Sequence, residues 1–292
     1  MPLLIKEIKK LFIKNKYICI MLPSILLNFL ISFSQTKIPD NLIGNASGFS
    51  SVVFSDESSY LWQKFLSSGG INVFLFVLSL SIAILLTVPE YRYSMNELIL
   101  VSKKGRKNLA YIKLFMGLTV CFITCVVILF SEPLIMWLKF DLSNGYLPLQ
   151  SLPAYEETEK NMTILEAMFL KIGFQIFGYC CLCLITMMLI TLTKGKTGVA
   201  LTCILGTLLL PLYLGDTLYN RQVLYKLPLP LSPILSYQYL SPSIIEYGTD
   251  LAVFKELTFE EILLTNSMIL VIVLICSMIF VCMFSGRKLL KK

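Results

Sequence analysis

Histidine is missing altogether from the 292 residues. That absence excludes zinc proteases of the His-Glu-x-x-His type, serine–histidine intramembrane proteases, histidine-dependent acyltransferases and haem anchoring by imidazole. Charge is scarce as well: Asp, Glu, Lys and Arg make up 15% of the chain, against about 25% in soluble domains. A phosphate-binding loop is also lacking. "KGKTG" at Lys194 to Gly198 resembles the end of one, but the pattern needs a glycine five positions before Gly195, where Ile190 stands, and a preceding strand rather than an apolar run. No small-residue cleavage pattern follows the first apolar run at "SFSQTKIPD", so that run reads as a retained anchor rather than a leader peptide.

What is abundant is apolar surface. Hydrophobic residues are 56% of the chain, above the roughly 45–50% of soluble domains, which predicts a membrane-embedded protein. A hydrocarbon core of about 30 Å needs roughly 20 helical residues, and six stretches approach that length: 17–33, 71–88, 114–138, 167–192, 199–214 and 262–284. They are continuous rather than alternating, so the prediction is an all-α membrane protein of six transmembrane helices and not a barrel. Ahead of them, residues 1–16 place Leu4, Ile8, Leu11 and Phe12 on one helical face and Lys6, Lys9, Lys10 and Lys14 around the other. This is the pattern of an interfacial amphipathic helix. Residues 17–292 then form a single six-span domain.

The basic residues set the orientation. Segments 1–16, 89–113, 193–198 and 285–292 hold 17 of the 25 Lys and Arg but only three acids, Glu7, Glu90 and Glu97. Positive charge stays inside, so both termini and these segments are expected in the cytoplasm. The cations are split among short loops beside spans, which suits contact with membrane lipid and argues against nucleic acid. Three outer loops remain, 34–70, 139–166 and 215–261, none promising an independent domain. The proline- and tyrosine-rich "YKLPLPLSPILSYQYLSPSIIEY" within the last either dips into the bilayer or lies as a stiffened surface loop.

Few residues inside the spans carry chemistry. All nine cysteines fall within them, so no disulfide framework is expected, and Cys180-x-x-Cys183 reads as apolar filler without a charge to activate a thiol. The polar residues are Asn28, Glu132, Lys171, Gln175 and Asn266. Glu132 and Lys171 lie toward the outer ends of their spans, where they can snorkel or pair, while Lys171 and Gln175 share a face. Pro23, Pro133 and Pro211 are positioned to kink their helices. No metal-ligating cluster and no catalytic residue is expected.

The distinctive segment is "PEYRYSMNELILVSKKGRKNLAYIK", 89–113. Glu90 to Ser94 is polar, Met95, Leu98 and Ile99 form an apolar helical face, and Ser102 to Arg106 reads as a basic turn. It predicts a short surface helix opened by Glu90, where a carboxylate suits the positive end of a helix dipole. This segment resembles the one between the second and third spans of type 2 ATP-binding cassette (ABC) permeases. That family commonly shows a glutamate, a small residue four positions on, a leucine-rich run, a serine, a basic residue and a lysine entering the next helix. Here these read Glu90, Ser94, Leu98 to Leu100, Ser102, Arg106 and Lys113, with serine where the family usually has glycine.

The resemblance implies the permease subunit of a bacterial ABC exporter in the cell membrane, paired with a second copy or a homologous permease and with cytoplasmic ABC ATPase subunits. Residues 90–106 would be the ATPase-coupling helix, with Glu90, Arg92, Ser94, Met95, Leu98, Ile99 and Arg106 making the contact, and Lys194 and Lys196 adding a smaller one. No cofactor is expected in this chain itself, ATP and Mg belonging to the partner ATPase. Apolar spans suit a hydrophobic or amphipathic cargo such as a peptide or lipid. A six-span sensor or assembly partner that docks to an ATPase without transporting is the alternative, and a stand-alone secondary carrier a third reading.

Overall fold

The computed structural model describes residues 5, 8, 9, 11, 12, 17–35, 57–67, 72–92, 103–140, 144–152, 155, 161–202, 204, 244–247, 250–253 and 259–284. Six helices carry the architecture: α1 (Tyr17–Gln35), α2 (Glu57–Ser67), α3 (Val73–Arg92), α4 (Lys103–Phe140), α5 (Ile164–Leu192) and α6 (Phe259–Phe284). Five of the six expected spans therefore coincide with helices. Three of these, over Tyr17–Ser34, Asn108–Phe140 and Ile164–Leu192, are long and apolar enough to cross a membrane, while α3 and α6 carry apolar stretches over Val73–Pro89 and Ser267–Cys282 among the described residues. The remaining expected span, 199–214, is helical over 197–202 and at 204 and otherwise lies outside the described residues. Near the start of the chain Ile8 is exposed, whereas Leu11 is buried and Phe12 packs edge-on against Tyr17 at 5.7 Å.

α5 is the hub, packing against α3, α4 and α6 and, through its first turns, α2. Its apolar window is 61% buried, against 11% for that of α1. Both helices are nearly free of charge, so composition did not distinguish them; what does is that α5 is apolar on every side and has protein around it. Its start is fixed by a capping box. Thr163 accepts from the Glu166 N–H, and the Glu166 carboxylate accepts from the Thr163 N–H at 2.8 Å, satisfying two helix-end donors. α1 instead presents Leu22, Leu26, Leu27, Leu30 and Phe33 outward, which in a membrane faces lipid at no cost.

A second set of contacts links the spans through polar groups. Asn72 caps α3, its Oδ1 accepting from the N–H groups of Phe74 and Leu75 at 3.0 and 3.2 Å. Its Nδ2 donates to Asn28 Oδ1 on α1 at 3.1 Å, and Asn28 in turn donates to Ser131 Oγ on α4 at 3.0 Å. Tyr179 of α5 closes the set, its hydroxyl accepting from the Asn72 N–H at 2.7 Å and donating to the Asn72 carbonyl at 3.2 Å. Four helices are thus tied near one level of the bundle.

Two features of the outer loops go beyond expectation. α2 was not foreseen in 34–70; it buries Leu61, Trp62, Phe65 and Leu66 against α4 and α5. In 215–261 the described residues are the first turn of α6, from Phe259, and two antiparallel strands, β1 (Ile244–Tyr247) and β2 (Asp250–Val253), with Ile244 opposite Val253 and Tyr247 opposite Asp250. The proline-rich stretch before them lies outside the described residues.

Candidate functional site

The expected coupling segment joins α3 to α4, and the structure changes how its ends are read. α3 continues through Pro89 to Arg92, so Glu90 stands in the last turn of a long helix and not at the start of a short one. The dipole there is negative, and a carboxylate gains nothing from it. At the other end Lys103, Lys104 and Arg106 lie in the first turn of α4 rather than in a basic turn, because helix-forming residues surround the single Gly105 and no proline interrupts them. Ser94, Met95, Leu98 and Ile99 lie outside the described residues, and of Glu90, Arg92 and Arg106 only the backbone is described.

What holds the two ends of this segment together is Lys113. Its side chain is fully buried, and Nζ donates to the Leu86 carbonyl of α3 at 2.6 Å. One turn further along α4, Gly117 faces Leu86 and the α5 residue Met187: a Cβ built there would stand 2.9 Å from Met187 Sδ and 3.5 Å from Leu86 Cδ1. Three helices therefore converge on Leu86, which is possible because position 117 has no side chain. Proline at 89 contributes no N–H to α3, so the end of this helix leans on such tertiary contacts.

The turn after α5 arrives at the same place. Gly195 N–H donates to Ile190 O at 2.8 Å and Lys194 N–H to Thr191 O at 3.2 Å, the bond pattern of a Schellman C-cap. Lys194 occupies the left-handed position, φ 51°, that glycine usually takes, and Gly195 follows at φ 85°. A Cβ on Gly195 would lie 2.6 Å from Tyr91 Cβ. The two elements singled out by sequence, 90–106 and 194–196, thus meet through Tyr91 and Gly195. Lys194 and Lys196 are exposed beside that contact. Lys113 appeared in the sequence only as a position in the family resemblance; its burial was not foreseen.

At the opposite end of the bundle, Lys171 does not snorkel. It is 3% exposed, donates through Nζ to the Phe65 carbonyl of α2, and lies 4.3 Å from the centre of the Phe65 ring. Glu132 of α4 is half-buried and within electrostatic reach of it, and Gln175 is buried one turn deeper on the shared face. The eight described cysteines are unbridged thiols, and among the described residues no group of three or more Cys, Asp or Glu is placed to hold a metal ion. Compared with known proteins, the chain matches no family model, no curated protein and no solved structure.

Proposed function

We propose that this chain is the permease subunit of an ABC exporter in a bacterial cell membrane, with six spans and both termini in the cytoplasm. It works beside a second copy or a similar permease, and separate ATPases hold ATP and Mg. The observation that carries the reading is the meeting of Tyr91 and Gly195. A permease driven by an ATPase needs its cytoplasmic loops to move its spans, and coupling requires that the ATPase distinguish two states of the permease. Here the ends of α3 and α5 and the start of α4 are joined through Leu86, Lys113, Tyr91 and Gly195, so a push on segment 90–106 is carried to three helices at once. Lys194 held in a glycine position, with its ammonium exposed beside that contact, favours a charge that serves a partner over one that serves the turn.

The test is copurification of the tagged chain from its native membrane, followed by reconstitution with the ATPase it retains. Glu90→Ala and Leu98→Asp are expected to impair export strongly at unchanged membrane abundance. Cargo should stimulate ATP hydrolysis, which separates an exporter from a sensor. Unchanged export and unchanged ATPase association in both variants would reduce the segment to a topology-setting loop.

A further inference from the structure

Half of the described cysteines meet at one place between α4 and α5. Cys121 of α4 holds its Sγ 3.6 Å from the Tyr179 carbonyl of α5, the carbonyl that helix geometry pairs with the Cys183 N–H. Helical side chains lean over the preceding turn, which brings the Cys183 thiol to the same spot. Cys121 accordingly has Cys125, Cys180 and Cys183 as its hydrogen-bonding neighbours, and Tyr17 of α1 borders three of these four thiols. Cys121, Cys125 and Cys183 are buried, whereas Cys180 is half-buried. Cys181 turns away and packs with Ile269 and Val273 of α6. The sulfurs are not placed to share a metal ion, which leaves the chemistry of thiols with one another. A lone thiol in apolar surroundings reacts slowly, because nothing solvates its thiolate. In this cluster the S–H of one cysteine can donate to the sulfur of the next, and Cys121 stands in that relation to Cys180. Cys180-x-x-Cys183 alone reads as filler; its reactive partner comes from another helix.

We infer that Cys180 and Cys121 are a hydroperoxide-sensing pair, which closes into a reversible disulfide and staples α4 to α5. The half-buried Cys180 sulfur attacks the O–O bond of a hydroperoxide, becoming a sulfenic acid and expelling an alcohol or water. The Cys121 sulfur then attacks the sulfenic sulfur, and water leaves. Two thiols and one ROOH thus give one disulfide, one ROH and one water, with two electrons passing from sulfur to the O–O bond. Hydrogen peroxide and lipid hydroperoxides share that bond. α4 and α5 belong to one packed core, so the closed bridge fixes one helix against the other. The inference requires neither an ATPase nor export.

A protease site inserted between Glu157 and Thr158, in the loop joining α4 to α5, reads the bond directly. After cleavage of the full chain in phosphatidylcholine nanodiscs, the two halves separate on a denaturing gel unless a disulfide holds them. Linoleic acid hydroperoxide in the disc or hydrogen peroxide in the buffer is expected to keep the halves together until dithiothreitol is added. Comparing the two arms tells a membrane-borne oxidant from a soluble one. Cys121→Ser and Cys180→Ser should abolish the link, and Cys181→Ser should leave it intact. Cys121→Ala takes the place of Cys121→Ser if a hydroxyl at that position does not fold. Bridging should also outrun loss of the exposed Cys19 thiol, followed by maleimide labelling, since a buried thiol without help is slower than an exposed one. Three results would overturn the inference: no link with either hydroperoxide, even where diamide forms one; a link that survives Cys180→Ser; or oxidation of Cys19 ahead of the bridge.

Discussion

At one end of α5 the helix holds its neighbour through a charge, and at the other through backbone set against the first carbon of a side chain. The Lys171 end depends on one side chain: the ammonium bonds the Phe65 carbonyl, and another donor at 171 could take its place without moving the backbone of α5. The Gly195 end offers no such exchange. Tyr91 Cβ occupies the space that a side chain at 195 would need, so displacing either residue means moving α3 against α5. The two kinds of contact lie at opposite ends of one buried helix.

Substitutions can break this contrast. The largest effect is expected from Gly195→Ala, which adds a left-handed penalty to an unrelieved overlap and should cost about 2–4 kcal/mol. The clashing atom is Tyr91 Cβ, so Tyr91→Ala should not rescue it. The midpoint of an SDS unfolding titration measures both. Lys171→Met comes next: it strands the carbonyl in the last turn of α2 and should cost about 1–3 kcal/mol, with Trp62 becoming accessible to acrylamide before global unfolding. If Trp62 stays shielded, α2 is seated by its apolar face alone.

Lys194→Gly tests the other end with the opposite sign. Glycine relieves the left-handed backbone at 194 and should stabilise by up to about 1 kcal/mol, while export in the reconstituted complex falls because the exposed charge is lost. Equal export would make Lys194 a tolerated misfit. The smallest effect belongs to Lys139→Met. Lys139 also caps a helix end, donating to the α1 carbonyl of Phe33 at 2.8 Å, but it is exposed, so water or a lipid head replaces it and the midpoint should move by less than about 0.5 kcal/mol.

Apolar runs made α1, α3, α4, α5 and α6 legible, because a span's length and hydropathy are local properties. The parts that escaped depend on partners far along the chain. Asn72 stands directly before the apolar run of α3, an N-cap signal available in the sequence, yet its bonds to Asn28 and Tyr179 were not. α2 carries Leu61 and Phe65 one turn apart, a period too short to separate it from a loop. Hydropathy ended α3 at Val88, since proline and charge follow, whereas the helix runs on to Arg92 with Lys113 bonded to its Leu86 carbonyl. The pairing of Ile244–Tyr247 with Asp250–Val253 was not foreseen either, because the outer loop was read from its prolines rather than from these short strands. Of the candidate site, sequence identified both segments, 90–106 and 194–196, but not that Tyr91 meets Gly195, because the signal is a missing side chain rather than a present one.

The amide of Asn28 sets a timetable for synthesis. α1 is made first, but its polar group bonds Asn72, 44 residues later, and Ser131, 103 residues later. At roughly 5–20 residues per second the second partner follows about 5–20 s behind. The Asn28 oxygen meets Asn72 within about 2–9 s, but its Nδ2 donor waits for Ser131 until α4 is made, so α1 keeps an unspent donor in hydrocarbon while α3 is already in place. Asn28→Leu would remove that wait, and with it the bonds that tie α1 to Asn72 and Ser131.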